Sequence, residues 1–80
     1  MFTIITSTTE VADYLRKRQL VSQFQKAIIK LKTGNYSGLD FKKRKPENAG
    51  IWSFRINQKY RAWCRRKDNE LTIYLIDDHQ

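Results

Sequence analysis

The 80-residue sequence is poor in the residues that cross-link and punctuate chains, with one cysteine, one proline, one histidine and three glycines. A lone Cys64 has no intrachain disulfide partner, which fits a reducing compartment, and one histidine is too few for a Cys/His zinc set. No apolar run approaches the roughly 18 residues that cross a bilayer, and the N-terminus lacks the basic-then-apolar order of a secretory leader. These absences exclude a disulfide scaffold, a structural zinc domain and a helical membrane span, so a cytoplasmic protein is expected. A Gly-rich phosphate loop is also missing, and the pair Asp77-Asp78 is too small a carboxylate set for two metals; no metal or cofactor is expected. Acid is scarce, with 8 Asp/Glu against 16 Lys/Arg and a formal charge of +8.

What is present is core material. Hydrophobic residues make up 40% of the chain, and four Phe, four Tyr and two Trp argue against disorder. A chain of this length buries only about 60% of its unfolded surface, so one domain over residues 1–80 is expected, with its chemistry on an open surface. The charge is unevenly spread. Residues 42–67 hold ten cations (Lys42, Lys43, Arg44, Lys45, Arg55, Lys59, Arg61, Arg65, Arg66 and Lys67) and one acid, Glu47, for a local net of +9. A concentrated positive field repels itself unless an anionic partner neutralises it, and nucleic acid is the default partner. A solvated basic face kept for solubility, or an acidic protein partner, also fits this pattern.

Phe2 to Thr6, β-branched and aromatic, predicts an opening strand. Ser7-Thr8-Thr9-Glu10 has the form of a capping box and predicts a helix that follows. Val11, Ala12, Tyr14 and Leu15 give this helix a partial apolar stripe, and Arg16-Lys17-Arg18 suits its C-terminal dipole or an RNA contact equally well. A second helix follows, because Leu20, Val21, Phe24, Ala27, Ile28 and Leu31 recur at helical spacing and Gly34 suits the left-handed position beyond its end. Leu39 to Lys45, stopped by Pro46, predicts an edge strand. Ile51 to Ile56, Tyr60 to Arg65 and Leu71 to Ile76 predict three more, joined by turns at Asn57-Gln58-Lys59 and Asp68-Asn69. The expected fold is therefore α+β, in the order βααβββ with a short extra strand, an antiparallel sheet with a helical hairpin on one face.

The sheet face away from the helices stays available for function. By alternation it receives Arg55, Arg61, Trp63 and Arg65, while Trp52 and Cys64 turn toward the core. Arginine suits phosphate binding, since its planar fork takes two phosphate oxygens and stays charged. Trp63 can stack on a base, or lie half-buried against neighbouring stems. His79, beside Asp77 and Asp78, is the one side chain that titrates near neutrality, so it is either a proton-transfer group or an inert surface histidine.

The order βααβββ, the segment from Gly50 to Arg61 (GIWSFRINQKYR) and the ending Ile76-Asp77-Asp78-His79 together resemble the RelE/ParE superfamily of bacterial toxins, nearest its HigB-like and YoeB-like branches. The resemblance implies a microbial-RNase-like fold and a metal-independent endoribonuclease that cuts mRNA on the ribosome by 2′-hydroxyl attack on the adjacent phosphate. It implies that Arg61, closing the INxxYR pattern, holds the scissile phosphate, that His79 is a general acid or base, and that Asp77 matches the acid of the terminal DYH pattern. Asp78 and Gln80 stand where the family's patterns have tyrosines, and the glutamate base of the YoeB-like branch has no clear counterpart in residues 42–47. Lys45 matches a lysine common in the family, which makes Lys42, Lys43, Arg44 and Lys45 expected rRNA or mRNA contacts, with Arg55, Trp63, Arg65 and Arg66 beside them. An acidic antitoxin is the implied protein partner. A ParE-like inhibitor of DNA gyrase and a non-catalytic RNA-binding or interaction module are the rival readings on the same fold.

Overall fold

The computed structural model describes residues 2–6 and 9–78, with only the backbone described at Glu47. Its elements run β1 (Thr3–Thr6), α1 (Thr9–Lys17), α2 (Val21–Thr33), β2 (Lys42–Lys43), a 3₁₀ turn (Glu47–Ala49), β3 (Ile51–Arg55), β4 (Tyr60–Lys67) and β5 (Glu70–Asp78). The expected cap at Ser7 lies outside the described residues.

The helical hairpin forms for the reasons its sequence suggests. Gln19, with a φ of 58°, turns the chain between the helices, and the amide of Leu20 returns to the carbonyl of Leu15. Helix α2 buries Phe24, Ala27 and Leu31, with Leu20 buried at its N-cap, whereas Val21 at its first turn is exposed. Its end is the expected glycine: Gly34 takes a φ of 81°, where a side chain would be strained, and donates its amide to the Lys30 carbonyl. At the end of α1, Arg16 pairs with Asp13, and the Arg18 guanidinium lies 3.6 Å from the centre of the Tyr14 ring.

The five strands form one sheet in the order β1-β5-β4-β3-β2. The expectation of a wholly antiparallel sheet is corrected at one edge, where β1 pairs with β5 in parallel, Ile4 opposite Leu71. The helical hairpin carries the chain from β1 to the far edge, and three antiparallel steps from β2 then lead back until β5 lies beside β1. The predicted strand from Leu39 to Lys45 shrinks to two residues because Asp40, at a φ of 48°, leaves the extended region and Pro46 has no amide to donate.

One irregularity decides which side chains face outward. Trp63 pairs with Leu75 and Cys64 with Ile73, so Tyr74 is an extra residue, a β-bulge. Core positions on β5 accordingly run Leu71, Ile73, Ile76 instead of strictly alternating. Without the bulge Asp77 would share the face of Leu71 and Ile73; with it, Asp77 lies on the opposite face.

The core sits between the helices and the inner face of the sheet, where Phe2, Leu15, Phe24, Leu31, Phe54, Ala62, Cys64, Leu71 and Ile73 are buried. Phe54 is fully buried with its ring centroid 6.3 Å from that of Phe24. Trp52, expected in the core, is half-buried at its rim, 4.8 Å from Phe41. Cys64 is enclosed as expected of a packing residue, and burial pushes its thiol up to about 12. Truncating Phe54 in this layer leaves a cavity that rigid strands cannot close. Phe54→Ala should therefore cost about 3–5 kcal/mol, read as a lower urea midpoint at unchanged m-value.

Candidate functional site

The outer face of the sheet, away from the helices, is built in rows across the strands. In one row Arg55 on β3 lies opposite Arg61 on β4, which lies opposite Asp77 on β5. The next holds Lys42 on β2, Ser53, Trp63 and Leu75. A third holds Ile51, Arg65 and Thr72, and Arg44, whose amide bonds to the carbonyl of Ile51, extends it past β2.

Arg61 is the centre of this arrangement, and it is not open as alternation alone suggests: only 2% of it is exposed. The turn at Asp40 reaches it from the edge, and Arg61 Nη2 donates to Asp40 Oδ2 at 3.0 Å while Nη1 donates to Ser53 Oγ at 3.4 Å. The same serine hydroxyl accepts from Arg44 Nε at 2.7 Å, so one neutral oxygen holds two guanidinium groups close together. The Arg44 guanidinium also lies 4.9 Å from the centre of the Trp63 ring, covering a surface on which a base would stack. Three buried polar atoms around this centre have no protein partner: Arg61 Nε, Trp63 Nε1 and Asp77 Oδ1.

Other expected contact residues divide between the two faces. Lys42, Arg44, Arg55, Trp63 and Arg65 share the outer face, with Arg65 5.1 Å from the Tyr74 ring. Lys43 pairs with Trp52 and belongs to the helix side. Arg66 does too, its guanidinium 4.9 Å from the Phe2 ring and 5.0 Å from the Trp52 ring, with Nε bonded to the Asp68 carbonyl. Lys45 lies beyond β2, exposed before Pro46. His79 lies outside the described residues. Asp78 pairs with Lys59 at 3.9 Å, away from Arg61.

Asp40 and Ser53 are site residues that sequence reasoning missed. Asp40 had a signal, because it is an isolated acid two residues before the cation run, with none between Asp13 and itself. Its left-handed φ of 48°, which aims the carboxylate back at β4, carried no such signal. The Arg61 hydrogen bond holds Asp40 below the usual carboxylate range, burial opposes this, and Lys42, 3.5 Å away, adds to it. Chemically, the face offers an anion-binding guanidinium, flanking cations and a partly buried carboxylate at Asp77. Among the described residues no group of three His, Cys, Asp or Glu stands together to hold a metal.

No protein-family profile and no curated protein matches the sequence. Solved structures do match the fold. The YoeB dimer from Staphylococcus aureus superposes with a TM-score of 0.72 at 20% identity, covering 99% of this chain and 98% of that one. The heterotetrameric YoeB-YefM toxin-antitoxin complex from the same organism gives 0.70 at 21% identity, covering 100% and 99%. A YoeB/ParE toxin from Agrobacterium tumefaciens gives 0.70 at 20% identity, covering 99% and 100%. The chain thus has the α+β fold of these toxins over its whole length.

The ion pair at the centre of the site predicts an acid limb in stability. With Asp40 depressed below its ordinary 3.8, the Arg61 pair stabilises the fold fully above about that pH, and the benefit is lost as pH falls through the lower folded value. Thermal melts should therefore place the wild type above Asp40→Asn at neutral pH, with the gap closing only in the acid range below 3.8. A gap that stays constant into that range would show that the pair's charge does not matter.

Proposed function

We propose that the protein is the toxin of a toxin-antitoxin pair, a single cytoplasmic domain that cleaves mRNA on the ribosome without a metal. The observation that carries this reading is Arg61, a guanidinium set among outer-face cations and directly opposite a carboxylate, in a fold shared with YoeB toxins. Metal-free RNA cleavage calls for an anion stabiliser beside a proton acceptor, and the pairing of Arg61 with Asp77 across β4 and β5 supports that reading. A base takes the 2′-hydroxyl proton, the 2′-oxygen attacks phosphorus, and the 5′-oxygen leaves with a proton from an acid. The products are a 2′,3′-cyclic phosphate and a free 5′-hydroxyl. In this proposal Arg61 stabilises the extra charge on the pentacoordinate phosphorus, and Asp77 and His79 share the proton transfers. Lys42, Arg44, Arg55 and Arg65 hold flanking phosphates, and Lys43, Lys45 and Arg66 reach rRNA around the edge. An acidic antitoxin would cover this surface, as the YoeB-YefM complexes make reasonable for a protein of this fold.

Primer-extension mapping of transcripts after brief expression tests the reading, with a supercoiling assay alongside. Cuts in translated messages are expected. Whole transcripts together with blocked supercoiling would replace it with gyrase inhibition, and neither effect would leave an interaction module. In single-turnover cleavage on ribosomes Arg61→Ala should lose on the order of 10²-fold or more, and His79→Ala about 10² to 10⁴-fold. Arg61→Lys should recover only part of the loss, because a point charge cannot form the fork. Ribosome binding by the wild type should weaken steeply with salt, and neutralising Lys42 to Lys45 should flatten the log-log slope by about one for each phosphate no longer paired with a cation. A slope near zero in the wild type would remove the electrostatic part of the proposal.

A further inference from the structure

The Arg61 guanidinium is almost fully enclosed, yet its hydrogen bonding is lopsided. Nη1 is anchored on Ser53 and Nη2 on Asp40, while Nε, on the same edge of the fork as Nη2, is buried with no partner. Buried N–H groups are nearly always satisfied, so an exception at a charged group calls for an explanation, and an anion that completes the set is one that fits a guanidinium. The carboxylate of Asp40 has the chemistry to take Nε and Nη2 together but bonds only one of them. Its backbone explains the restriction. The Leu39 carbonyl is tied to the Arg55 amide at 2.6 Å, and Asp40 itself sits at a φ of 48°, a conformation that Asp and Asn tolerate better than most residues. The side chain therefore reaches Arg61 from a fixed root at the sheet edge. It also has somewhere to go, since Lys42 Nζ stands 3.5 Å from the same oxygen.

We infer that Asp40 is the specificity-determining residue of the Arg61 site: its tethered carboxylate shuts out free anions and yields only to an RNA phosphate that a docked strand delivers to both prongs of the fork. A short tether gives the carboxylate an effective concentration of roughly millimolar or more, so that isolated phosphate competes poorly. A phosphodiester held in place by Arg44 and Arg55 is tethered in turn. It exchanges one charge-assisted bond for two, filling Nε as well as Nη2 while Nη1 keeps Ser53. The carboxylate moves to Lys42. Phosphate is named over an acidic protein segment because the surrounding outer-face groups are guanidinium forks and a lysine, the set that suits a row of phosphates. The inference rests on reading this face as a phosphodiester site.

The test titrates the intact protein with inorganic phosphate while following the Arg61 Nε resonance. In the wild type that resonance should stay unmoved at low millimolar phosphate. Asp40→Asn and Asp40→Gly, both at ease with a positive φ, should bind phosphate at Arg61 roughly tenfold or more tightly. Adding Arg61→Ala to Asp40→Asn should abolish the gain, and Asp68→Asn, which removes an acid elsewhere, should not reproduce it. Wild-type affinity equal to that of Asp40→Asn, or a gain that survives Arg61→Ala, would overturn the inference. If an acidic peptide shifts the wild-type Arg61 resonance where a short single-stranded oligoribonucleotide does not, the site serves a protein and the inference fails. The phosphate titration needs no ribosome, so it is independent of whether transcripts are cut. Cleavage with no phosphate gain would remove the role of Asp40 alone, and a phosphate gain without cleavage would remove the nuclease reading alone.

Discussion

A guanidinium with 2% exposure has to be matched by an anion or by well-placed acceptors, and most of the outer face follows from how this chain satisfies Arg61. Ser53 is small enough to be fully buried beneath it and supplies one acceptor. Asp40 supplies the charge, and to do so the chain leaves the extended conformation two residues before the cation run, which cuts β2 to two residues. Arg55 faces Arg61 across a strand pair where like charges repel, so the anion at Asp40 also makes that row tolerable. The edge of the sheet and the site are thus one construction.

The second constraint is the extra residue at Tyr74. It changes the phase of β5 between Ile73 and Ile76, keeping both in the core while turning Asp77 outward opposite Arg61. The spacing Leu71, Ile73, Ile76 is the trace of that bulge in the sequence. Strict alternation through the apolar run from Leu71 to Ile76 hides it, because Tyr74 and Leu75 are apolar enough to pass for core residues. The same bulge brings Tyr74 under the Arg65 guanidinium.

Elements whose signals are local are legible in the sequence. Helix α2 follows from its apolar spacing and Gly34, and the hairpins from Asn57 and Asp68, where the Asn57 side chain accepts the amides of Lys59 and Tyr60. The side on which Arg55, Arg61, Trp63 and Arg65 lie also follows from parity. What parity does not give is depth. Arg61 and Arg65 are four apart in the strand, on one face, yet one is buried and the other exposed, because only Arg61 has the Asp40 turn folded against it. Nor does the partner of β1 have a local signal, since parallel pairing with β5 depends on the path of the whole chain. Consecutive cations look like one patch in the sequence, but alternation separates Lys42 and Arg44 from Lys43, and Arg66 is drawn to the rings of Phe2 and Trp52.

That separation changes the meaning of the +9 segment. A patch of flexible lysines would give affinity for any polyanion, falling with salt and indifferent to shape. Here the cations nearest the centre are mostly arginines fixed by rings and by a shared serine hydroxyl, so their positions are set before any partner arrives. Fixed charges of one sign repel, and the strands that carry them are held together by the core beneath, where Phe54, Ala62, Cys64 and Ile73 are packed without polar interruption. Preorganisation on the outer face is therefore drawn from the cohesion of the inner one. Under the proposed reading, a partner bearing phosphates in this register would relieve the repulsion while finding Arg44 and Arg65 already held in place, which lowers the ordering cost of binding on an open sheet.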